Sequence, residues 1–128
     1  MISIGTDIIE INRVIVAIER SKDSLIKRLF RDYEISYIED VYENPQRVAG
    51  LWAAKEAAVK ATGIGFRLGI TFHDIEIRHD EYGCPYYKFN GVMLEIMNKK
   101  NIQTSSLSIS HCRSYAVATA LLDGASLL

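Results

Sequence analysis

The sequence has few cysteines and no pattern of zinc ligands. Its 128 residues include two cysteines, Cys84 and Cys112, which lie far apart and away from any cysteine or histidine at zinc-ligand spacing. The pattern indicates neither a disulfide framework nor a zinc site, and both thiols are expected to be free.

An excess of charge of either sign is also missing. The chain has 15 basic and 16 acidic residues, for a formal net charge of -1, which gives no reason to expect nucleic acid or an anionic membrane as a partner. Positive charge is concentrated locally instead, because residues 11–31 include six basic and two acidic side chains. The basic residues of this stretch are Arg13, Arg20, Lys22, Lys27, Arg28 and Arg31.

Long apolar runs are absent as well. No stretch reaches the ~18 apolar residues that span a bilayer, and the first residues lack the basic segment typical of a secretory signal. We therefore predict a soluble, cytoplasmic protein with no membrane partner.

The residues that are present predict one α+β domain over residues 1–128, since this length and a hydrophobic content of 48% suit a single core. Ile2, Ile4 and Ile8 alternate with polar residues and predict a half-buried strand, with Asp7 on the opposite face near its end. From Ile11 the apolar period becomes that of a helix. Further helices are predicted within residues 25–42, 46–62 and 92–100, and strands at 74–78, 86–89, 106–110 and 115–122.

The predicted helix over residues 46–62 has the most informative spacing. Its alanines form one face, whereas Glu56 and Lys60 are neighbours on the other face beside the apolar Trp52. A surface ion pair of this spacing contributes only ~0.2–0.5 kcal/mol. Alternatively, Glu56 and Asp7 hold a hard cation while Lys60 meets phosphate oxygens, because Mg²⁺ is bound by one or two carboxylates plus substrate phosphates. The spacing alone leaves both interpretations open.

Four segments carry a resemblance that covers nearly the whole chain. They are IGTDIIEINR at residues 4–13, WAAKEAAVKATGIG at 52–65, DIEIRHDEYGCPY at 74–86 and SLSISH at 106–111. In this order and spacing they resemble the signatures of the bacterial holo-acyl-carrier-protein synthases, the short, trimeric type of the 4'-phosphopantetheinyl transferase superfamily. The resemblance implies an α+β 4'-phosphopantetheinyl transferase-like fold, with an antiparallel sheet packed against helices that include a long, alanine-rich central one.

The resemblance further implies an enzyme of fatty acid biosynthesis. Such an enzyme moves the 4'-phosphopantetheine group of coenzyme A to a serine of apo acyl carrier protein and releases adenosine 3',5'-bisphosphate. Its catalytic residues here would be Asp7, Glu56 and Lys60. Asp7 and Glu56 are expected to bind the Mg²⁺ cofactor, and Lys60 to lie on the phosphate under attack. A coordinated water or Glu56 is the expected acceptor of the serine proton.

The resemblance also implies contacts with coenzyme A, at Arg47, Lys55, Lys60, Gly63, Gly65 and His111. Leu51 departs from the family, because many members have an arginine just before the aromatic residue of the central motif. Arg47, one helical turn earlier, is expected to replace that phosphate contact. His73 and His79 match nothing in the family and are expected to be solvated loop residues.

The basic stretch fits a protein partner, because acyl carrier proteins are acidic and opposite charge speeds encounter. Arg13, Arg20 and Arg28 are the predicted docking residues. A homotrimer with active sites between neighbouring copies is a further implication of the resemblance. Two alternatives stay open: a non-catalytic module that binds coenzyme A or a carrier protein, and an unrelated magnesium phosphohydrolase.

Overall fold

The computed structural model describes residues 1–124, so residues 125–128 of the predicted domain lie outside it. Its main elements are β1 (Ile2–Glu10), α1 (Ile11–Ser21), α2 (Asp23–Leu29), α3 (Asp32–Ile38), α4 (Pro45–Thr62), β2 (Ile75–His79), β3 (Pro85–Phe89), α5 (Gly91–Lys99), β4 (Ile102–His111) and β5 (Tyr115–Gly124). Short 3₁₀ turns at Arg67–Gly69 and Phe72–Asp74 connect α4 to β2. The predicted α+β class with antiparallel strands is confirmed.

The main sheet is built for close approach of a helix. Within the described residues it consists of β1, β5 and β4, all antiparallel, with β5 in the middle. On its inner face Gly5 pairs with Ala120 of β5, and both are buried. A methyl group added at Gly5 would clash with the backbone oxygen of Ala57 and lie 2.6 Å from the backbone nitrogen of Ala61. The backbones of β1 and α4 are therefore in direct contact.

Helix α4 is the centre of the fold. Pro45 occupies its first turn, where a missing N–H leaves no bond unmade. Gly63 ends the helix with a left-handed φ of 76°, the conformation typical of a C-cap glycine. The sheet covers one side of α4, and α1 and β2 pack on other parts of its surface. Beyond its first turn, the side chains of α4 that stay accessible are Trp52, Glu56 and Lys60.

The outer face of β1 has three exposed isoleucines. The alternation along β1 is present and Asp7 lies opposite the isoleucines, but the face that packs on α4 is the one with Gly5 and Asp7. Ile2, Ile4 and Ile8 are instead 59%, 64% and 61% exposed. A period of two identifies residues that share a face, whereas the shape of the packing partner decides which face is covered. No element within residues 1–124 covers these isoleucines.

None of the helices within residues 1–124 is both long enough and apolar enough to cross a bilayer.

Candidate active site

A cleft opens where β1 ends, α1 begins and the middle of α4 passes beside them. Its volume is about 550 Å³. The polar and aromatic side chains that line it are Asp7, Glu10, Arg13, Trp52, Glu56 and Tyr115. Two of the three accessible side chains of the central helix therefore meet Asp7 in this cleft.

Asp7 and Lys60 form an ion pair between β1 and α4. The Nζ of Lys60 donates to Oδ1 of Asp7 at 2.9 Å and to the backbone oxygen of Thr6 at 3.2 Å. The Asp7 side chain is 14% exposed and that of Lys60 is 55% exposed, so the carboxylate is sheltered while the ammonium reaches solvent. The close contact of Gly5 with α4 explains this pairing. Asp7 lies two residues after Gly5 on the same face of β1, so the contact places Asp7 beside Lys60.

Glu56 lies half-buried, one helical turn before Lys60. Burial raises the pKa of its carboxyl group, and the charge of Asp7 raises it further, whereas the indole of Trp52 and the ammonium of Lys60 lower it. Asp7 and Glu56 are thus close enough to repel each other when both are ionised. A cation held between them would relieve that repulsion.

The oxygen donors of this cleft fit a hard divalent cation. Mg²⁺ is commonly bound by one or two carboxylates and completes its shell with water and substrate phosphates. Within the described part of the chain, no group of three or more His, Cys, Asp or Glu side chains could hold a metal ion. Asp7 and Glu56 would therefore hold such an ion together with water or a phosphate ligand.

Two of the three predicted docking residues, Arg13 and Arg20, border a groove next to the cleft. Arg13 lines it and also borders, with Val16, Ala17 and Arg20, a shallow groove of about 470 Å³ along α1. Val16 is 46% exposed, so the groove combines an apolar centre with two cationic side chains, and the acidic Glu10 lies at its edge. Arg28 is exposed on α2, outside the set of described residues that line this groove.

His111 and Arg47 meet at a second, smaller cavity. It has a volume of about 260 Å³ and lies between α3, α4, β2 and β4. His111 is the last residue of β4, Arg47 lies in the first turn of α4, and the buried Leu51 borders the same cavity. Leu51, which stands where many family members have arginine, and Arg47, which is predicted to replace that arginine, therefore border the same cavity.

A single copy of the chain does not bring all the predicted coenzyme A contacts together. Gly63 and Gly65 follow the C-terminal end of α4, near Lys60, whereas Arg47 lies at its start. At ~1.5 Å per residue, the helix from Arg47 to Gly63 is roughly 24 Å long. Both glycines have left-handed φ values, 76° and 73°, and a side chain there would meet no described residue within 4 Å. Backbone conformation, not lack of space, therefore favours glycine at both positions.

Lys55 lies in the protein core, and the prediction that it contacts coenzyme A is wrong. Its side chain is fully buried, and its Nζ pairs with Glu34 at 2.9 Å. It also donates to the backbone oxygens of Phe72 and Ile75, at 2.9 and 2.6 Å. An ammonium has three donors, so these partners satisfy it completely. Lys55 therefore ties α4 to α3 and to the start of β2.

The two histidines expected in solvated loops are held by the fold. His79 ends β2 and stacks on Tyr37 with ring centroids 4.0 Å apart, and burial lowers its pKa. His79 shares the alternation of Ile75 and Ile77, a signal that indicates the covered face of β2. His73 lies in a 3₁₀ turn, with its Nε2 2.6 Å from a backbone oxygen of α2. The expectation of a solvated loop is therefore wrong for His79, whereas His73 lies in a connecting turn and is partly exposed.

Comparisons with known proteins point to one family. Residues 3–120 match the model of the 4'-phosphopantetheinyl transferase superfamily. A holo-[acyl-carrier-protein] synthase of Verminephrobacter eiseniae is 40% identical over 119 residues, which are 93% of this chain and 91% of the relative. The enzyme of that name from Clostridium novyi is 44% identical over 123 residues, or 96% of this chain and 88% of the relative.

Solved structures of such proteins share the fold. The holo-[acyl-carrier-protein] synthase of Helicobacter pylori in complex with coenzyme A matches with a TM-score of 0.84 and 32% identity, over 94% of this chain and 99% of its own. The acyl carrier protein synthase of Plasmodium yoelii with ADP bound matches with a TM-score of 0.87 and 30% identity, over 97% and 96%. The chain therefore belongs to the 4'-phosphopantetheinyl transferase superfamily, in which it groups with the holo-[acyl-carrier-protein] synthases.

Proposed function

We propose that this protein is a holo-[acyl-carrier-protein] synthase that serves fatty acid biosynthesis in the cytoplasm. It transfers the 4'-phosphopantetheine group of coenzyme A to a serine of apo acyl carrier protein. The serine oxygen bonds to the phosphorus that carries the pantetheine arm, the bond from that phosphorus to the bridging oxygen breaks, and adenosine 3',5'-bisphosphate leaves. The observation that carries the proposal is the convergence of Asp7, Glu56 and Lys60 beside one cleft.

Each of these three residues has a defined role in the proposal. Asp7 and Glu56 hold Mg²⁺, which when bound supplies positive charge to the pyrophosphate oxygens of coenzyme A. The flexible stem of Lys60 lets its Nζ move from Asp7 to the attacked phosphate, where it offsets the growing negative charge. Glu56 or a water molecule in the cleft accepts the serine proton.

The groove along α1 receives the carrier protein in this proposal. Arg13 and Arg20 offer cations to an acidic partner, and Val16 between them offers apolar surface. Arg13 borders both the groove and the cleft, so a carrier bound there would lie next to the three reacting side chains. Arg28 would act further out on α2, through long-range attraction.

The complete site is proposed to form between copies of the chain in a homotrimer. Lys60, Gly63 and Gly65 of one copy would contact the coenzyme A whose nucleotide part lies at Arg47 and His111 of a neighbour. The length of α4, which separates these two groups of residues, supports this arrangement. So does the exposed isoleucine face of β1, because contiguous apolar surface commonly marks a contact between proteins.

Mass spectrometry tests the proposed reaction. The protein is incubated with apo acyl carrier protein, coenzyme A and Mg²⁺, and we expect the carrier to gain one phosphopantetheine group. Asp7→Ala and Glu56→Ala are expected to lose this transfer, while Glu95→Ala, which removes an exposed carboxylate from α5, retains it. Full transfer by both site variants would overturn the metal site. Binding of coenzyme A without any mass gain would identify a non-catalytic module instead.

A further inference from the structure

Trp52 has a buried donor that the fold leaves unpaired. The residue lies in the middle of α4 and lines the cleft next to Glu56 and Asp7. Its indole Nε1 is inaccessible and makes no hydrogen bond of ordinary geometry with any residue of the described range. A buried donor without a partner destabilises the folded state, and nearly all buried polar atoms in native proteins are paired. This N–H therefore requires an explanation.

Glu56 is the acceptor within reach of this N–H. The two residues are one helical turn apart, a spacing that brings side chains together on one face of a helix, and they line the same cleft. Burial and the charge of Asp7 raise the pKa of Glu56, and the indole N–H is close enough to lower it. The contact does not meet the length and angle of an ordinary hydrogen bond.

The chemistry of the two groups decides what the contact does. An indole N–H is a donor only, so Trp52 does not itself bind a cation. An ionised carboxylate accepts at about four lone-pair positions, so Glu56 has room for both the indole and a metal ion. Carboxylates that bind metals are usually held by such outer hydrogen bonds, whose loss lowers metal affinity by ~10–100-fold.

We propose that Trp52 is a positioning residue, whose N–H holds one oxygen of Glu56 so that the remaining lone pairs face Asp7 and a divalent cation. The inference rests on the magnesium site of the proposed function. This role of Trp52 goes beyond apolar packing. A phenylalanine would fill most of the same space, but it has no N–H that could orient the carboxylate of Glu56.

Binding of Mn²⁺ to the whole protein, followed by electron paramagnetic resonance, tests this role apart from catalysis. Trp52→Phe keeps an aromatic ring and removes the N–H, and we expect the dissociation constant for Mn²⁺ to rise by ~10-fold or more. Glu56→Asp shortens the carboxylate beyond the reach of the indole. In that background, adding Trp52→Phe is expected to cause no further loss, because the effect of Trp52 passes through Glu56.

A second substitution covers the case in which Trp52→Phe disturbs folding. Because the chain has one tryptophan, replacing tryptophan throughout by benzothienylalanine exchanges this single N–H for sulfur and keeps the bicyclic shape. We expect the same weakening of Mn²⁺ binding. Unchanged Mn²⁺ affinity in this protein, with weaker binding in Glu56→Ala, would overturn the role of Trp52 and leave the metal site intact. Absence of Mn²⁺ binding by the unsubstituted protein would overturn the metal site itself.

Discussion

Arg47 is held at the edge of the smaller cavity by several contacts. It donates to the backbone oxygen of Tyr37 at 2.9 Å, and its guanidinium lies 5.4 Å from the centre of the Tyr37 ring. Because Leu51 offers no charge to this cavity, we expect Arg47→Ala to remove a charge-assisted phosphate contact, and such contacts are worth ~1.5–3 kcal/mol. The KM for coenzyme A should rise by about tenfold or more. Steady-state kinetics measures it, with Lys99→Ala as the control, and an unchanged KM would contradict the role.

His79 predicts a dependence of stability on pH. Burial lowers the pKa of His79 below its ordinary value of 6.5, while Asp80 opposes the shift. The unfolded chain therefore binds a proton at pH values where the folded chain does not. The stability that depends on the neutral ring is therefore complete above pH 6.5 and is lost as the pH falls below it. His79→Phe keeps a ring against Tyr37 and should reduce this loss. Urea unfolding on both sides of that pH checks it; an equal loss in the variant would argue against His79.

The neighbouring positions of Glu56 and Lys60 could be predicted from the sequence because the two residues are one helical turn apart. The alternation of β1 likewise places Asp7 on the same face as Gly5, whereas the contact of Asp7 with Lys60, 53 residues further along the chain, depends on how β1 packs on α4. The buried environments of Lys55 and His79 could not be predicted from the sequence. Their environment depends on α3, which is remote in sequence: Lys55 pairs with Glu34, and His79 stacks on a tyrosine of the same helix.

At the scale of elements, the contact between β1 and α4 is the tightest constraint. Gly5→Ala would push a methyl group into the backbone of α4, and we expect it to lower the free energy of unfolding by about 1–3 kcal/mol or more. Thr6→Ala, at the exposed neighbouring position, is the matched control and should have little effect. Urea titrations compare the two variants. Equal stability of Gly5→Ala and the unsubstituted protein would show that α4 can move away from the strand.

The order of helices and strands could be predicted because each periodic segment has a local signal. The C-terminal end of α4 is an example, since Gly63 has a conformational preference that needs no tertiary partner. The covered face of β1 could not be inferred from its alternation. It depends on α4, which meets the glycine side of the strand and leaves Ile4 and Ile8 exposed.

At the scale of the whole molecule, a site shared between copies predicts that two inactive variants can restore each other. Lys60→Met damages one half of the site and His111→Ala the other, so each alone should transfer poorly. In mixed trimers obtained by co-expression, some interfaces would combine an unsubstituted Lys60 from one copy with an unsubstituted His111 from its neighbour. We expect these trimers to recover part of the activity. The transfer assay measures this recovery; no recovery in verified mixed trimers would contradict a shared site.

The isoleucine face supplies the control for that experiment. Ile4→Asp places a charge on the exposed apolar surface of β1 and should prevent both association and recovery. Tyr82→Asp, at a residue that is 89% exposed beside the turn from β2 to β3, makes a similar change away from this face. Sedimentation measures the mass of each variant. A trimer that survives Ile4→Asp would place the interface elsewhere.

The position of Trp52 also gives the protein a built-in optical reporter. The chain has one tryptophan, and this residue lines the same cleft as Glu56 and Asp7. Indole emission responds to nearby charge and to exclusion of solvent, so its intensity and wavelength should change when a cation, coenzyme A or the carrier protein enters the cleft. Occupancy of the site can therefore be followed by fluorescence, in real time and without an added label.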